Sequence, residues 1–435
     1  MRDTPITMKP RSISLPIGMS NAESLLVLLL AWFALVTMGL LVAMAFERAG
    51  EPGYDFRYFW VAGKVWAQGI SPYGGPFVEA APRLVTSGNI PEIWPYPPNL
   101  WLPSVGLAFF DIETAWRIWL CVQLVAVVLA SAALAFWLPL TRVSVALCQS
   151  IVVTRLGFFC LHIAFMASLE AMHLSVFVGQ ISVPVYLSAV LILCGLARGW
   201  HGLVIVGLAV TYMKPQIGAV LALALMLSGR QGFRLVMASA LVSLVLIMPP
   251  MLVKATVVLD WLHDIGAYDG ITLANMAVAM TGIRHLLWIF TATDIGNTPA
   301  LGITLVVGGA VTLFLRRVAG RNARPWPVLA TDMILAQVLV IMAFSPLHMY
   351  DFVLIGVALP VLAQARGPSL IAAIIGAAMF VKPTDVFVWL QGHRATSFFP
   401  GSTMATIGAL ILLLVVLARV GESRETDQRT MATNP

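Results

Sequence analysis

Asp55, Arg57, Tyr96, His173, Gln180, Lys214, His348 and Asp351 are the side chains of this sequence whose types and settings suit chemistry. Each stands at the edge of an apolar run, where ionisable groups are costly to keep, and their gathering at one depth marks a candidate site. Lys214 has the sharpest reading. It precedes Pro215, and proline is tolerated in the first turn of a helix, so the unpaired N–H groups and positive dipole end of a helix starting there would face an anion together with the ammonium. Phosphate is the obvious anion; the competing reading is a snorkelling lysine that caps the preceding helix. His348 alone also reads as a hydrogen-bonded buried histidine, and Gln180 as a bond between two helices. No metal-ligand set is evident, although outer carboxylates leave a divalent ion open. Cys121, Cys148, Cys160 and Cys194 lie inside apolar segments, as small buried hydrophobes do.

The elements that must position these residues are membrane helices. Of 435 residues, 60% are hydrophobic and 11% charged, against about half and about a quarter in an ordinary soluble domain. That excludes a soluble enzyme and predicts an all-α, polytopic integral membrane protein with roughly 12–14 membrane helices. The net charge of +6 comes from short basic clusters between apolar runs, which is the pattern of topology and not of nucleic-acid binding. Residues 1–24 read as a cytoplasmic N-terminal segment, 25–420 as one transmembrane domain and 421–435 as a disordered cytoplasmic tail, with the first apolar run an uncleaved anchor. Loops 47–97 and 254–299 fall outside. Lys64, Lys214, Lys254 and Lys382 join them there against the positive-inside rule, which raises the question of what each one faces.

Four local expectations follow from pattern. Residues 54–75 open with an amphipathic helix carrying Phe56, Phe59, Trp60, Gly63 and Trp66 on one face and Arg57, Lys64 and Gln68 on the other. Such a helix lies on a membrane surface with its aromatic face in the headgroup boundary, holding Asp55 at a fixed depth or merely anchoring a loop. A short second crossing is expected near 98–110, with Asp111, Glu113 and Arg117 in a tight inner turn. A hairpin is expected at 143–172, turning at Arg155. Finally, a helix should break at Tyr212–Gln216, because the residue before proline is pushed out of the α region.

The sequence holds no P-loop, no dinucleotide fingerprint and no cytoplasmic domain large enough for a nucleotide, so a group-transfer reaction would draw its donor from the membrane. In the order YDFRYFWVAGKVWAQGISPYGG (54–75), YPPNLWLPSVGLAFF (96–110), VGQISVPVYLSAVL (178–191), GLAVTYMKPQIGAVLALALML (207–227) and SPLHMYDFVLIGVAL (345–359), the chain resembles the bacterial glycosyltransferase family 87. That family includes polyprenol-phosphate-mannose-dependent α-(1,2)-mannosyltransferases of the GT-C fold. The resemblance implies a GT-C-type helical bundle in the bacterial inner membrane with an outer-face active site. It implies transfer of a sugar, most simply mannose, from a polyprenyl phosphate to a lipid, glycan or protein acceptor, with inversion and with no cofactor beyond that lipid-linked substrate. Asp55 would be the catalytic base, Lys214 and Arg57 would hold the donor phosphate, and Tyr96, Gln180, His348 and Asp351 would line the site. In one departure from the family pattern, Asp351 stands where a histidine is expected, with His348 nearby. Readings of other classes are a transporter or flippase of lipid-linked sugars and an inactive scaffold in envelope polysaccharide assembly.

Overall fold

The structure, a computed structural model, describes residues 21–47, 49–85, 93–138, 151–268, 276–277, 279–321, 325–362, 365, 367–382, 384 and 399–433. Among them the regular structure is all helical, as the composition predicts. The chain opens with α1 (Asn21–Glu47), α2 (Tyr54–Ala67), α3 (Gly75–Leu84), the short α4 (Trp101–Ala108) and α5 (Ile112–Ala132). Then come α6 (Ile151–Ser168) and α7 (Glu170–Val178), bent by 64° at their junction, and α8 (Ser182–Arg198), α9 (His201–Thr211) and α10 (Pro215–Ser228). After α11 (Arg230–Val253) follow α12 (Val257–Tyr268), α13 (Gly282–Thr291), α14 (Asn297–Arg321) and α15 (Trp326–Phe344). A 3-10 segment, Met349–Val357, leads to α16 (Leu359–Leu362), α17 (Pro368–Ala378) and α18 (Phe399–Thr433).

Among the described residues, six helices are long and apolar enough to cross a membrane, or seven with the bent pair α6–α7. Among the described residues, not all of the roughly 12–14 membrane helices expected from the sequence are long enough to span by themselves. Instead α8, α9, α10 and α17 are apolar but short; the 11 residues of α9 rise only about 16 Å against a hydrocarbon core of about 30 Å. Such pieces are tolerated at membrane depth because neighbouring helices bury them.

Contacts fix the running directions. Trp119 Nε1 in α5 donates to the Gly179 carbonyl just before α8 (2.8 Å), and Cys194 Sγ near the end of α8 reaches the Ala133 carbonyl just past α5 (3.5 Å). The two helices are therefore parallel. α6 returns against α5, pairing His162 Nδ1 with Ser131 Oγ (2.8 Å) and the Phe159 ring with Phe136. Hence Asp111, Glu113 and Arg117 share the end of the bundle that carries Asp55, and the inner turn expected for them is corrected. The reason is length. α4 has eight residues, about 12 Å, packs along α2, and gives way to α5 at Asp111, whose carboxylate caps the Thr114 N–H at 2.8 Å.

Two more expectations are corrected. Arg155 is no hairpin tip: it lies near the start of the single helix α6, half-buried, where a long cationic side chain can reach for the interface. α18 runs on to Thr433, past residue 420, because the polar stretch holds helix formers and no proline. The break at 212–216 falls where proline demands it, between α9 and α10.

Candidate active site

The first turn of α2 supplies Asp55. The pattern of this helix predicts an aromatic face in the headgroup boundary, and the structure corrects that: the face packs on protein. Phe56 is 0% and Phe59 2% exposed, and their rings pack on Trp116 (5.1 Å between centroids) and on Trp94, Tyr96 and Trp119. Amphipathicity shows that one face is apolar; it does not say whether protein or lipid covers it. Here protein covers it, and Asp55 is thereby carried inward to 9% exposure.

Gln180 holds the carboxylate. α7 ends at Gly179, in the left-handed conformation (φ +76°) that closes many helices, and both Gly179 and Gln180 donate their N–H to the Ser175 carbonyl at 3.0 Å. A side chain at 179 would meet Phe56 and Trp116, each at 2.6 Å, so the glycine lets this turn lie flat against α2. Gln180 then points its Nε2 at Asp55 Oδ2 and at the Tyr96 hydroxyl, both at 3.0 Å, while its Oε1 accepts from the Ile181 N–H at 2.9 Å.

Lys214 lies at the break between α9 and α10, with Pro215 beginning the new helix, and is 5% exposed. It is not a snorkelling cap. Its Nζ donates to Ser182 Oγ (2.9 Å) and to Asp351, and Ser182 donates to the same Asp351 oxygen at 2.6 Å. The ammonium also stands over the Tyr350 ring, 4.8 Å from its centroid. Both charges of the pair are felt at Asp55, so the two groups form one site: Asp55–Gln180–Tyr96 and Lys214–Ser182–Asp351. Burial raises the Asp55 carboxyl to about 7 against the pull of Lys214 and the Gln180 hydrogen bond, with Asp351 adding to the rise. No sequence motif marks Tyr350, and the signal for Ser182 is its place two residues after Gln180, at the start of a helix.

The remaining candidates fall around this centre. His348, half-buried, is pushed down to about 4 by burial, with Asp351 opposing and Lys214 and Arg284 adding to the fall, so at neutral pH it is an uncharged imidazole. Its ring packs on Tyr350, 5.0 Å between centroids. Arg57 Nε donates to the Pro52 carbonyl at 3.0 Å, and its charge faces Glu51. His173 bonds the Ala167 carbonyl at the end of α6. The lysines on this side also have answers: Lys64 lies over the Trp60 ring at 4.9 Å and Lys254 pairs with Asp260 at 2.9 Å. The two large loops meet above Tyr96, where Trp261 Nε1 donates to the Pro95 carbonyl (3.0 Å) and the Gly74 N–H to Asp264 (2.8 Å). Among the described residues, no three His, Cys, Asp or Glu side chains come together as a metal-binding group.

A buried carboxyl poised near neutrality beside a neutralised cation is suited to taking a proton while an anion departs. Set in a multi-pass helical bundle, it suits a membrane-embedded group-transfer enzyme. The model of glycosyltransferase family 87 matches residues 94–346, over half of the chain, and the protein belongs to that family. It is therefore a membrane glycosyltransferase. Tyr96, Gln180, Ser182 and Lys214 lie within the matched span, whereas Asp55 and Asp351 lie outside it. A search of curated proteins found no match.

Proposed function

We propose that the protein transfers a sugar, most simply mannose, from a polyprenyl phosphate to the hydroxyl of a lipid, glycan or protein acceptor at the outer face of a bacterial inner membrane, with inversion at the anomeric carbon. Asp55 takes the proton of the attacking hydroxyl. As the acceptor oxygen bonds to the anomeric carbon, the bond from that carbon to the phosphate oxygen breaks, and the departing lipid phosphate carries away the electron pair. Lys214 meets that phosphate at the start of α10. Its existing bond to Asp351 leaves little excess positive charge, which suits one phosphate group better than a chain of them. Gln180 and Tyr96 hold Asp55, and neutral His348 and Asp351 line the phosphate side. The observation that carries this reading is the burial of Asp55, which gives a carboxylate the proton affinity of a base near neutral pH.

Replacing Asp55 by asparagine tests it. The amide keeps size and an acceptor oxygen but cannot take a proton, so turnover should fall about 10²–10⁴-fold with donor binding and expression retained. Native turnover by Asp55→Asn would end the assignment of this residue as the base.

A further inference from the structure

The segment that carries Tyr350 and Asp351 is held from outside the site. Met349–Val357 is nine residues of 3-10 helix, whereas such helices seldom run beyond about three or four. Residue 360 is proline, so an α-helix continued through this segment would leave the Gly356 carbonyl without its i+4 donor and press the proline ring against it. The donor comes from another helix. His162 of α6 is buried, with Nε2 3.1 Å from the Gly356 carbonyl oxygen and Nδ1 2.8 Å from Ser131 Oγ of α5. A carbonyl only accepts, so the proton of this bond sits on Nε2, and Nδ1 accepts from the Ser131 hydroxyl, whose other choice is the Val127 carbonyl at 2.8 Å. The Tyr186 ring of α8 stacks on the imidazole, and its hydroxyl lies 3.2 Å from the same Nε2. A Cβ at Gly356 would lie 2.4 Å from Met166 Sδ and 2.9 Å from the Tyr186 ring, so the segment is seated directly on α6 and α8 at this point.

An ionisable side chain inside a membrane bundle is costly, and this one spends its proton on a backbone carbonyl five positions past Asp351. Geometry gives that bond a consequence. Over five residues a 3-10 helix rises about 10 Å, whereas an α-helix rises about 7.5 Å and turns about 100° less. With the Gly356 end fixed, relaxation to the commoner helix would swing Asp351 by more than a quarter turn away from Lys214 and Ser182, both of which it now accepts from. We propose that His162 is a positioning residue for the transfer reaction, donating to Gly356 and so holding Met349–Val357 in the 3-10 form that presents Asp351 to Lys214. This rests on the site reading above, in which the Lys214–Asp351 pair meets the donor phosphate, and adds to it a residue that touches neither partner of the pair.

His162→Gln, His162→Phe and His162→Leu test it, each assayed for turnover and for unfolding temperature in detergent. Glutamine brings an amide Nε2 close to the place of the imidazole Nε2 and can still donate to Gly356; phenylalanine and leucine fill the space without a donor. A displacement of about 1 Å at a reacting centre costs about 10²-fold, so a donorless variant that folds should lose about that much kcat while His162→Gln stays within about threefold of native. The acid limb of kcat/KM should also move below its native position in the donorless variant. Asp351 adds to the rise at Asp55, and Lys214 freed of its partner pulls harder on it, so displacing Asp351 lowers that carboxyl on both counts. A packing defect alone would lower the unfolding temperature and leave the limb where it was. Equal loss of turnover in all three variants, or a donorless variant with the native limb, overturns the positioning role. If only His162→Gln folds, the bond serves the fold at large and the role is likewise overturned. Asp351→Asn separates this proposal from the reading beneath it: native turnover with a native limb in that variant removes Asp351 from the site, and with it anything for His162 to position.

Discussion

At the scale of single residues, the site turns on one carboxyl whose proton affinity burial has raised from 3.8 to about 7. A protonated acid cannot accept a proton, so kcat/KM should rise with pH and level off above about 7, and Asp55→Asn should remove that limb together with most of the rate. Stability should run the other way. The folded state holds the proton more tightly than the unfolded chain, so this group's stabilising contribution is complete below about pH 4 and is lost as pH rises through 7. A pH–rate profile and a series of unfolding temperatures over the same window check both signs. An acid limb near 4 would mean that Asp55 works as an ordinary solvated carboxyl, or not at all. Asp55, Tyr96, Gln180 and Lys214 were legible in the sequence because polar groups bordering apolar runs are rare and their local motifs resemble a family. The Lys214–Ser182–Asp351 pairing was not, since it joins residues as many as 169 positions apart and no local pattern encodes such a partner. Arg57 stands two residues from Asp55, and its Nε bonds the Pro52 carbonyl. Two positions along a helix turn a side chain by about 200°, toward the opposite face.

At the scale of elements, what the sequence specifies most firmly is where helices cannot continue, and what it leaves open is what their faces touch. Pro215 dictated the α9–α10 break because a ring in place of an N–H disfavours helix at the preceding residue in any surroundings. The apolar face of α2 was equally plain, yet burying it in protein or in lipid satisfies the same periodicity. Gly63 decides the matter in the structure. A Cβ there would lie 2.0 Å from the Ser104 carbonyl oxygen and 2.9 Å from Ala108 Cβ, so α2 and α4 touch backbone to backbone. Gly63→Ala must push the two helices apart at a cost of about 1–3 kcal/mol, lowering the unfolding temperature in detergent and reducing turnover by displacing Asp55. If the variant unfolds at the native temperature with native activity, α2 does not depend on that contact and the site is positioned by some other element.

At the scale of the whole molecule, the direction of each helix determines which charges lie together. α1 runs beside α6, with Leu30 near Gly157 and Ala34 near Cys160 and Ile163, and brings the chain to the site end at Glu47. Because α4 is too short to cross, the chain stays at that end through Arg117, and α5 makes the next pass. The far end collects Arg198, Arg230, Arg234, Arg316, Arg317 and Arg321 at the ends of α8, α11 and α14. That excess of arginine predicts that the far end is cytoplasmic and the site end external. Counting α4 as a crossing would place Glu113 with the arginines, so Glu113 is the residue that separates the two topologies. In a background with the native cysteines replaced by alanine, single substitutions Glu79→Cys, Glu113→Cys and Arg230→Cys can be probed with a membrane-impermeant maleimide, since all three positions are exposed. Glu79→Cys and Glu113→Cys should both label in intact cells, and Arg230→Cys only after lysis. Labelling of Glu113→Cys together with Arg230→Cys would make α4 a true crossing and remove Glu113 and Arg117 from the level of Lys214.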